Sequence, residues 1–200
     1  MFQTHRRSAM RVRGGQVQRK NRWAQSINYF DSEMPELVVD RRRPGRGFKH
    51  LVGKGEVRRF VESLPNWNQL REGLNAIVLD SGRQNCMGWH RSGVVAICAW
   101  EREIQWESCY RDFHESHSAI FAKLDVPVEK KGEQIRVIFT EATARAFQLI
   151  HILIHELGHH HDRMTTRSRR QPCRGETYAE AYARRHEEQV ITIYRQQFGI

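Results

Sequence analysis

Apolar positions three and four residues apart alternate along this chain with short runs of β-branched residues, so the pattern predicts both helices and strands. Helical spacing predicts one helix over residues 56–64, which Pro65 ends, and a second short helix capped by Asn66. The strand candidates are apolar runs bounded by turn residues. They lie at residues 76–79, 87–90, 93–100, 126–128 and 135–139. Pro127 predicts a sheet edge for the fourth, because proline cannot donate a ladder hydrogen bond.

The longest stretch of helical character comes late in the chain. No proline or glycine interrupts residues 143–157, and the residues from 147 to 157 are mostly apolar. We therefore predict a helix from about residue 141 to 163 that is buried on almost every side. A polar, basic loop over residues 165–174 follows, and residues 175–198 predict a second helix. Residues 101–117 are charged and aromatic, and their pattern predicts no particular element.

Composition is typical of a globular protein. The 200 residues suit one domain, alone or with a tail. No apolar run reaches the length of about 18 residues that a membrane span needs, and the charged N-terminus lacks the apolar run of a secretory signal. The four cysteines show no C-x-x-C spacing, so they predict neither a zinc knuckle nor a disulfide framework and leave a single disulfide open. We expect a cytoplasmic protein that does not associate with membranes.

Positive charge is concentrated near the N-terminus. The formal net charge is +10, and residues 1–49 hold 12 Lys and Arg against 4 Asp and Glu. We expect residues 1–46 to form a basic, disordered arm and residues 47–200 to form the folded domain. The arm could bind nucleic-acid phosphates. Its few aromatic residues and lack of a recognisable module favour a solvated tail, whose end Trp23, Tyr29 and Phe30 could anchor onto the domain.

The predicted buried helix contains His155-Glu156-Leu157-Gly158-His159, an H-E-x-x-H pattern. Residues four apart in a helix lie about 6 Å apart along its axis and about 40° apart around it. Two imidazoles at this spacing can converge on one zinc ion, and Glu156 lies where a carboxylate can act as general base. The alternative is a core cluster without metal. Burial of the helix favours the metal, because unpaired buried polar groups are costly and a bound ion would give the two histidines a partner.

A catalytic zinc ion needs a third protein ligand. The compact pattern with a third histidine six residues after His159 fails, because that residue is Thr165. Glu176 and Glu180 on the following helix are the candidates. They lie one helical turn apart, so one can bind the metal while the other orients a ligand histidine. At this point either glutamate can take either role, and both could instead be solvent-facing charges.

Other polar residues near the motif are weaker candidates. Asp162 could support the site or face solvent at the helix end. His160 and His161 point to other faces of the helix, so we do not expect them to be ligands. Phe113, His114 and His117 lie in the segment for which the pattern predicts no element, and they could reach a site. Surface positions are the commoner outcome for such histidines.

The two motifs together resemble a known group. His155-Glu-Leu-Gly-His159 followed by Glu176-Thr-Tyr-Ala-Glu180 is similar to the zincin metallopeptidases with a glutamate third ligand, the gluzincins. The second motif is especially similar to the anthrax lethal factor-like catalytic domains. Carried over onto this chain, the resemblance implies Glu176 as the third zinc ligand and Glu180 as its supporting acid. It covers only residues 141–185, and the short segment between His159 and Glu176 leaves Glu180 open as the ligand.

The resemblance implies an α+β fold. A small, twisted mixed sheet would lie over the long active-site helix, and the C-terminal helix would carry the third ligand. The edge strand would bind an extended peptide, with residues 93–100 as that edge or its neighbour. Tyr178 and Tyr182 are the nearest candidates for a transition-state tyrosine, although packing in the core is the commoner role for both.

The implied function is zinc-dependent hydrolysis of peptide bonds in a peptide or protein substrate, with Glu156 as general base. One alternative is a metallopeptidase that the basic arm recruits to nucleic acid. The other is a non-catalytic zinc-binding module, against which Glu156 argues, because a structural zinc site needs no neighbouring base.

Overall fold

The computed structural model describes residues 12–13, 16–17, 28–30, 34–103, 105–106, 111–132, 134–167 and 173–199. These residues form helices packed against a mixed sheet, in agreement with the predicted α+β class. None of the helices among them is long and apolar enough to cross a membrane.

The central sheet has four strands in the order β3–β5–β7–β6. Strands β3 (Val38–Arg41), β5 (Ala76–Asp80) and β7 (Val94–Cys98) are parallel, and β6 (Gly88–Arg91) pairs antiparallel with β7. Every residue of β5 and β7 is buried. Continuous apolar strands of this kind need cover on both faces of the sheet.

The remaining strands are short and form three smaller sheets. One is a pair, β1 (Val12–Arg13) and β2 (Gln16–Val17). A second pair joins β4 (Phe48–Lys49) to β8 (Trp100–Glu101). The third sheet has the order β10 (Val128–Lys131), β11 (Gln134–Ile138) and β9 (Gln105–Trp106). β10 begins immediately after Pro127 and lies at the edge of its sheet, as predicted.

Six α-helices and one π-helical turn complete the described residues. They are α1 (Lys54–Glu62), α2 (Trp67–Leu70), α3 (Arg111–Lys123), α4 (Glu141–Phe147), the π-helical turn (Gln148–Ile152), α5 (Leu153–Thr165) and α6 (Gly175–Phe198). The positions of α1, α2 and α6 agree with the sequence pattern. Helix α3 lies in the segment whose pattern predicted no element.

The predicted long helix is present but contains a change of winding. Thr140 begins it, since its hydroxyl accepts a hydrogen bond from the backbone N–H of Thr143 (3.1 Å). α4 passes through the π-helical turn into α5 without a break. Within the turn, the buried side-chain amide of Gln148 donates to the carbonyl of Cys98 (2.8 Å) and ties the helix to strand β7. The apolar pattern alone does not distinguish an α turn from a π turn.

Described residues of the predicted basic, disordered arm, residues 1–46, include the paired strands β1 and β2 and the sheet strand β3, so the arm is not irregular throughout. Strand β3 pairs with β5, and Tyr29 packs with Val78 and Ala96 on the sheet face opposite the main core. Phe30 stacks on Trp89 of β6, with ring centroids 6.1 Å apart. The physical reason is that β5 and β7 are apolar on both faces, so a segment before residue 47 has to cover the second face. Trp23 lies outside the described residues.

The main core lies between the other sheet face and the helices. Ile77, Leu79, Val95 and Ile97 belong to this core. Helix α5 contacts β6 and β7, and α6 packs along α5. This arrangement holds the H-E-x-x-H segment between the edge of the sheet and the C-terminal helix.

Candidate metal centre

The structure brings His155, His159 and Glu176 together. The Nε2 atom of His155 lies 3.1 Å from Glu176 Oε2, and the Nε2 atom of His159 lies 3.3 Å from Glu176 Oε1. One ligand atom from each of the three residues lies within 4.8 Å of the other two. Two imidazoles and one carboxylate are a donor set that zinc accepts, so these side chains fit the predicted ion.

Glu180 contacts the opposite side of the His155 ring. Its Oε2 atom lies 3.4 Å from Nδ1 of His155, and its Oε1 atom accepts a hydrogen bond from Nε of Arg184 (2.8 Å). Burial alone would raise the pKa of Glu180, but the hydrogen bond with His155 and the charges of His151 and Arg184 lower it to about 2. An ionised carboxylate at Nδ1 fixes the ring and leaves Nε2 free to bind a metal. The geometry thus places Glu176 at Nε2 of His155 and Glu180 at Nδ1.

The site is electrostatically suited to a cation. Burial alone would lower the pKa of His155, but the carboxylates of Glu180, Glu156 and Glu176 outweigh burial and raise it. For His159, burial dominates and the pKa lies below its ordinary value. The surrounding acidic groups therefore favour positive charge between the two rings, while His159 stays in the neutral form that a metal ligand requires.

Glu156 is buried beside the edge strand. Its side chain faces Gly88 of β6, where an added Cβ atom would lie only 2.7 Å from Oε1 of Glu156. Burial raises the pKa of Glu156 to about 7. A bare glycine at position 88 therefore provides the space that this carboxylate occupies, and the sequence pattern gave no reason to single out Gly88.

Asp162 fixes the start of helix α6. Its buried carboxylate accepts hydrogen bonds from the backbone N–H of Arg174 (2.7 Å), Nε of Arg174 (2.8 Å) and the backbone N–H of Gly175 (3.2 Å). Burial alone would raise the pKa of Asp162, but these hydrogen bonds lower it. The suggestion that Asp162 faces solvent is wrong, since the residue is 0% exposed. Asp162 instead positions the helix turn that carries Glu176.

Gly158, inside the motif, lets the two helices approach closely. A Cβ atom at position 158 would lie 3.0 Å from Cα of Ala179 and 3.1 Å from Cβ of Tyr182. The small residues at 158 and 179 thereby set the distance between α5 and α6. This distance determines how far Glu176 reaches toward the histidines.

The neighbouring histidines and tyrosines point away from the site. His160 Nε2 donates to the carbonyl of Glu72 (2.9 Å), and His161 Nδ1 lies 2.8 Å from the hydroxyl of Tyr178. Tyr182 packs against His161, with ring centroids 5.1 Å apart. Among the described residues, His160 and His161 therefore lie outside the group of His155, His159 and Glu176.

A pocket of about 500 Å³ connects residues of the two motifs to a second set of polar side chains. His155, Glu156 and Glu176 line it together with His117, His151 and Glu180. The sequence pattern did not assign a role to His151, although it lies four residues before His155 and so on the same helix face. The suggestion that His117 could reach a site agrees with its place in this pocket. His114 is buried against Phe121 instead.

No known protein family matches this chain, and no curated protein or solved structure matches it either. The resemblance to the gluzincins therefore depends on residues 155–159 and 176–180 and stays a prediction.

Proposed function

We propose that this chain is a zinc-dependent metallopeptidase in which His155, His159 and Glu176 hold the ion and Glu156 acts as general base. The observation that carries the proposal is that both histidines direct Nε2 at the same carboxylate, 3.1 and 3.3 Å away. The side chain of Glu176 is 83% exposed. An exposed ion pair contributes only about 0–1 kcal/mol, so ion pairing alone is a weak reason for two largely buried imidazoles to converge there.

The catalytic role of Glu156 is supported by its position on the motif helix. A bound zinc ion supplies Lewis acidity toward a carbonyl and acidity to water. Glu156 lies one residue after His155, is 7% exposed and lines the same pocket. Its carboxylate can take a proton from the attacking water and return it to the leaving amine. A site with only a structural ion has no use for such a carboxylate.

Strand β6 is the proposed binding edge for the substrate. Among the described residues it pairs with β7 alone, and its first residue, Gly88, lines the pocket. An extended peptide could pair with the open side of β6, which would hold its backbone beside Glu156. The predicted strand over residues 93–100 corresponds to β7. It is the neighbour of the edge strand β6 and not the edge itself.

The proposal is tested with zinc content and peptide cleavage measured on the same purified samples. The wild-type chain should retain zinc and cleave members of a peptide library, with products detected by mass spectrometry. Glu156→Gln should retain zinc and lose cleavage, because the amide cannot accept the proton. His155→Ala should lose cleavage and the zinc ion held at this site.

Full zinc occupancy in His155→Ala would contradict the ligand assignment. Zinc retained by the wild type without hydrolysis of any peptide would favour the non-catalytic module. Cleavage by Glu156→Gln at the wild-type rate would remove the general-base role.

A further inference from the structure

A second group of possible metal ligands lies beside the first. It consists of His117 from α3, His151 from the π-helical turn and Glu180 from α6. One ligand atom from each lies within 4.8 Å of the other two, and His151 Nε2 is 3.6 Å from Glu180 Oε2. The rings of His151 and His155 have centroids 6.3 Å apart, so the two groups are neighbours in one pocket.

The two histidines of this group are held in place by other contacts. His117 Nδ1 donates to the carbonyl of Phe113 (2.7 Å), which leaves the lone pair on Nε2. The ring of His151 is stacked on Phe147, with centroids 5.2 Å apart and planes 9° apart. Three helices thus present two oriented imidazoles and a carboxylate to one point, at little further cost in side-chain entropy.

We propose that His117, His151 and Glu180 form a second site for a divalent transition-metal ion of the zinc class. Two imidazoles and one carboxylate, with water completing the coordination, suit such an ion better than Mg²⁺ or Ca²⁺, which prefer oxygen ligands. Arg184 binds Oε1 of Glu180 and leaves Oε2 for the ion. The Arg184 side chain is 57% exposed, so it can turn toward solvent when a cation approaches.

The proposed second site would be linked to the first through Glu180. The same oxygen of Glu180, Oε2, lies 3.6 Å from Nε2 of His151 and 3.4 Å from Nδ1 of His155. An ion at the second site would compete for this oxygen with the ring of His155. A change at Glu180 should therefore affect both ions, whereas a change at His117 should affect only the second. The inference goes beyond the proposed peptidase and does not require catalysis.

The test is the zinc stoichiometry of the full chain after chelator treatment, measured by calorimetric titration in a weakly chelating buffer that suppresses binding to surface histidines. The wild type should bind two zinc ions and His117→Ala one. His151→Ala provides a second variant, with circular dichroism as the check on folding. The matched control is His186→Ala, which removes a histidine of α6 that packs on Tyr182 outside the pocket and should still bind two.

A single zinc ion in the wild type, lost in His155→Ala and kept in His117→Ala, overturns the second site and leaves the proposed peptidase site intact. Two ions in both His117→Ala and His151→Ala also overturn it. If the wild type binds a single ion that is kept in His155→Ala and lost in His117→Ala, the second site is supported and the first is refuted. The two proposals therefore fail in distinguishable ways.

Discussion

Replacing Gly88 by alanine should disable Glu156 without touching a proposed zinc ligand. The added Cβ would lie 2.7 Å from Oε1 and 2.9 Å from Cγ of Glu156, and 2.9 Å from the carbonyl oxygen of Ala96. Ordinary contacts of a Cβ atom begin near 3.4 Å, so the Glu156 side chain has to move by several tenths of an ångström. Movement of the carboxylate relieves the contacts with Glu156, whereas the contact with the backbone carbonyl of Ala96 also requires β6 to shift slightly against β7.

The size of the effect follows from the role of the displaced group. A positioned general base contributes about 10²–10⁴-fold to a rate, so kcat/KM should fall by about that factor, or about 3–5 kcal/mol of transition-state stabilisation. Overpacking should reduce the free energy of unfolding by about 1–3 kcal/mol. Zinc content should stay at the wild-type level.

The assay compares peptide cleavage, zinc content and urea unfolding of Gly88→Ala with those of Gly55→Ala. Gly55 lies in α1, and a Cβ there would have nothing within 4 Å. The control should keep its activity and gain up to about 1 kcal/mol from the higher helix propensity of alanine. Wild-type cleavage by a folded, zinc-loaded Gly88→Ala protein would refute the reasoning that the space at this position serves Glu156.

The remaining predictions concern the link between helices α5 and α6. At the site of His155 and His159, Glu176→Ala should weaken zinc binding more than Glu180→Ala, for which a loss of about 10–100-fold is typical of an orienting group. The reverse order in a competition assay with a chelator, made in a His117→Ala background so that only this ion is measured, would move the ligand to Glu180. Gly158→Ala should lower zinc affinity, because the new methyl group pushes α6 away from α5; unchanged affinity would show that the helix spacing is not critical. Asp162→Asn should reduce the free energy of unfolding by about 2–3 kcal/mol at pH 7. The folded-state pKa of Asp162 is lowered, so its contribution is present above the unfolded value of about 3.9 and disappears as the pH falls through the folded value. The difference between wild type and Asp162→Asn should therefore shrink in acid, and a pH-independent difference would contradict the ionised role.

The parts of the site that follow a helical repeat could be predicted from sequence. His155 and His159 lie on one helix face because they are four residues apart, and Glu176 with Glu180 forms a second pair at the same spacing. The apolar run before the motif also predicted that the helix is buried, which the structure confirms. Strand β10 at the edge of its sheet follows from Pro127 in the same local way.

Features that depend on contacts between distant residues could not be predicted. Gly88 matters only because β6 passes beside Glu156, 68 residues later in the chain. Strand β3 carries just two valines before a charged run, and its place in the sheet depends on pairing with β5. The role of Asp162 required the position of Arg174, which the sequence pattern placed in a loop.

The hydrogen bonds at Asp162 make the position of Glu176 independent of how many residues connect the two helices. The carboxylate at the end of α5 binds the backbone at the start of α6 directly, 12 and 13 residues later. Each doubling of a flexible connection costs only about 0.6 kcal/mol in closure entropy. An insertion between residues 167 and 173 should therefore be tolerated without displacing Glu176.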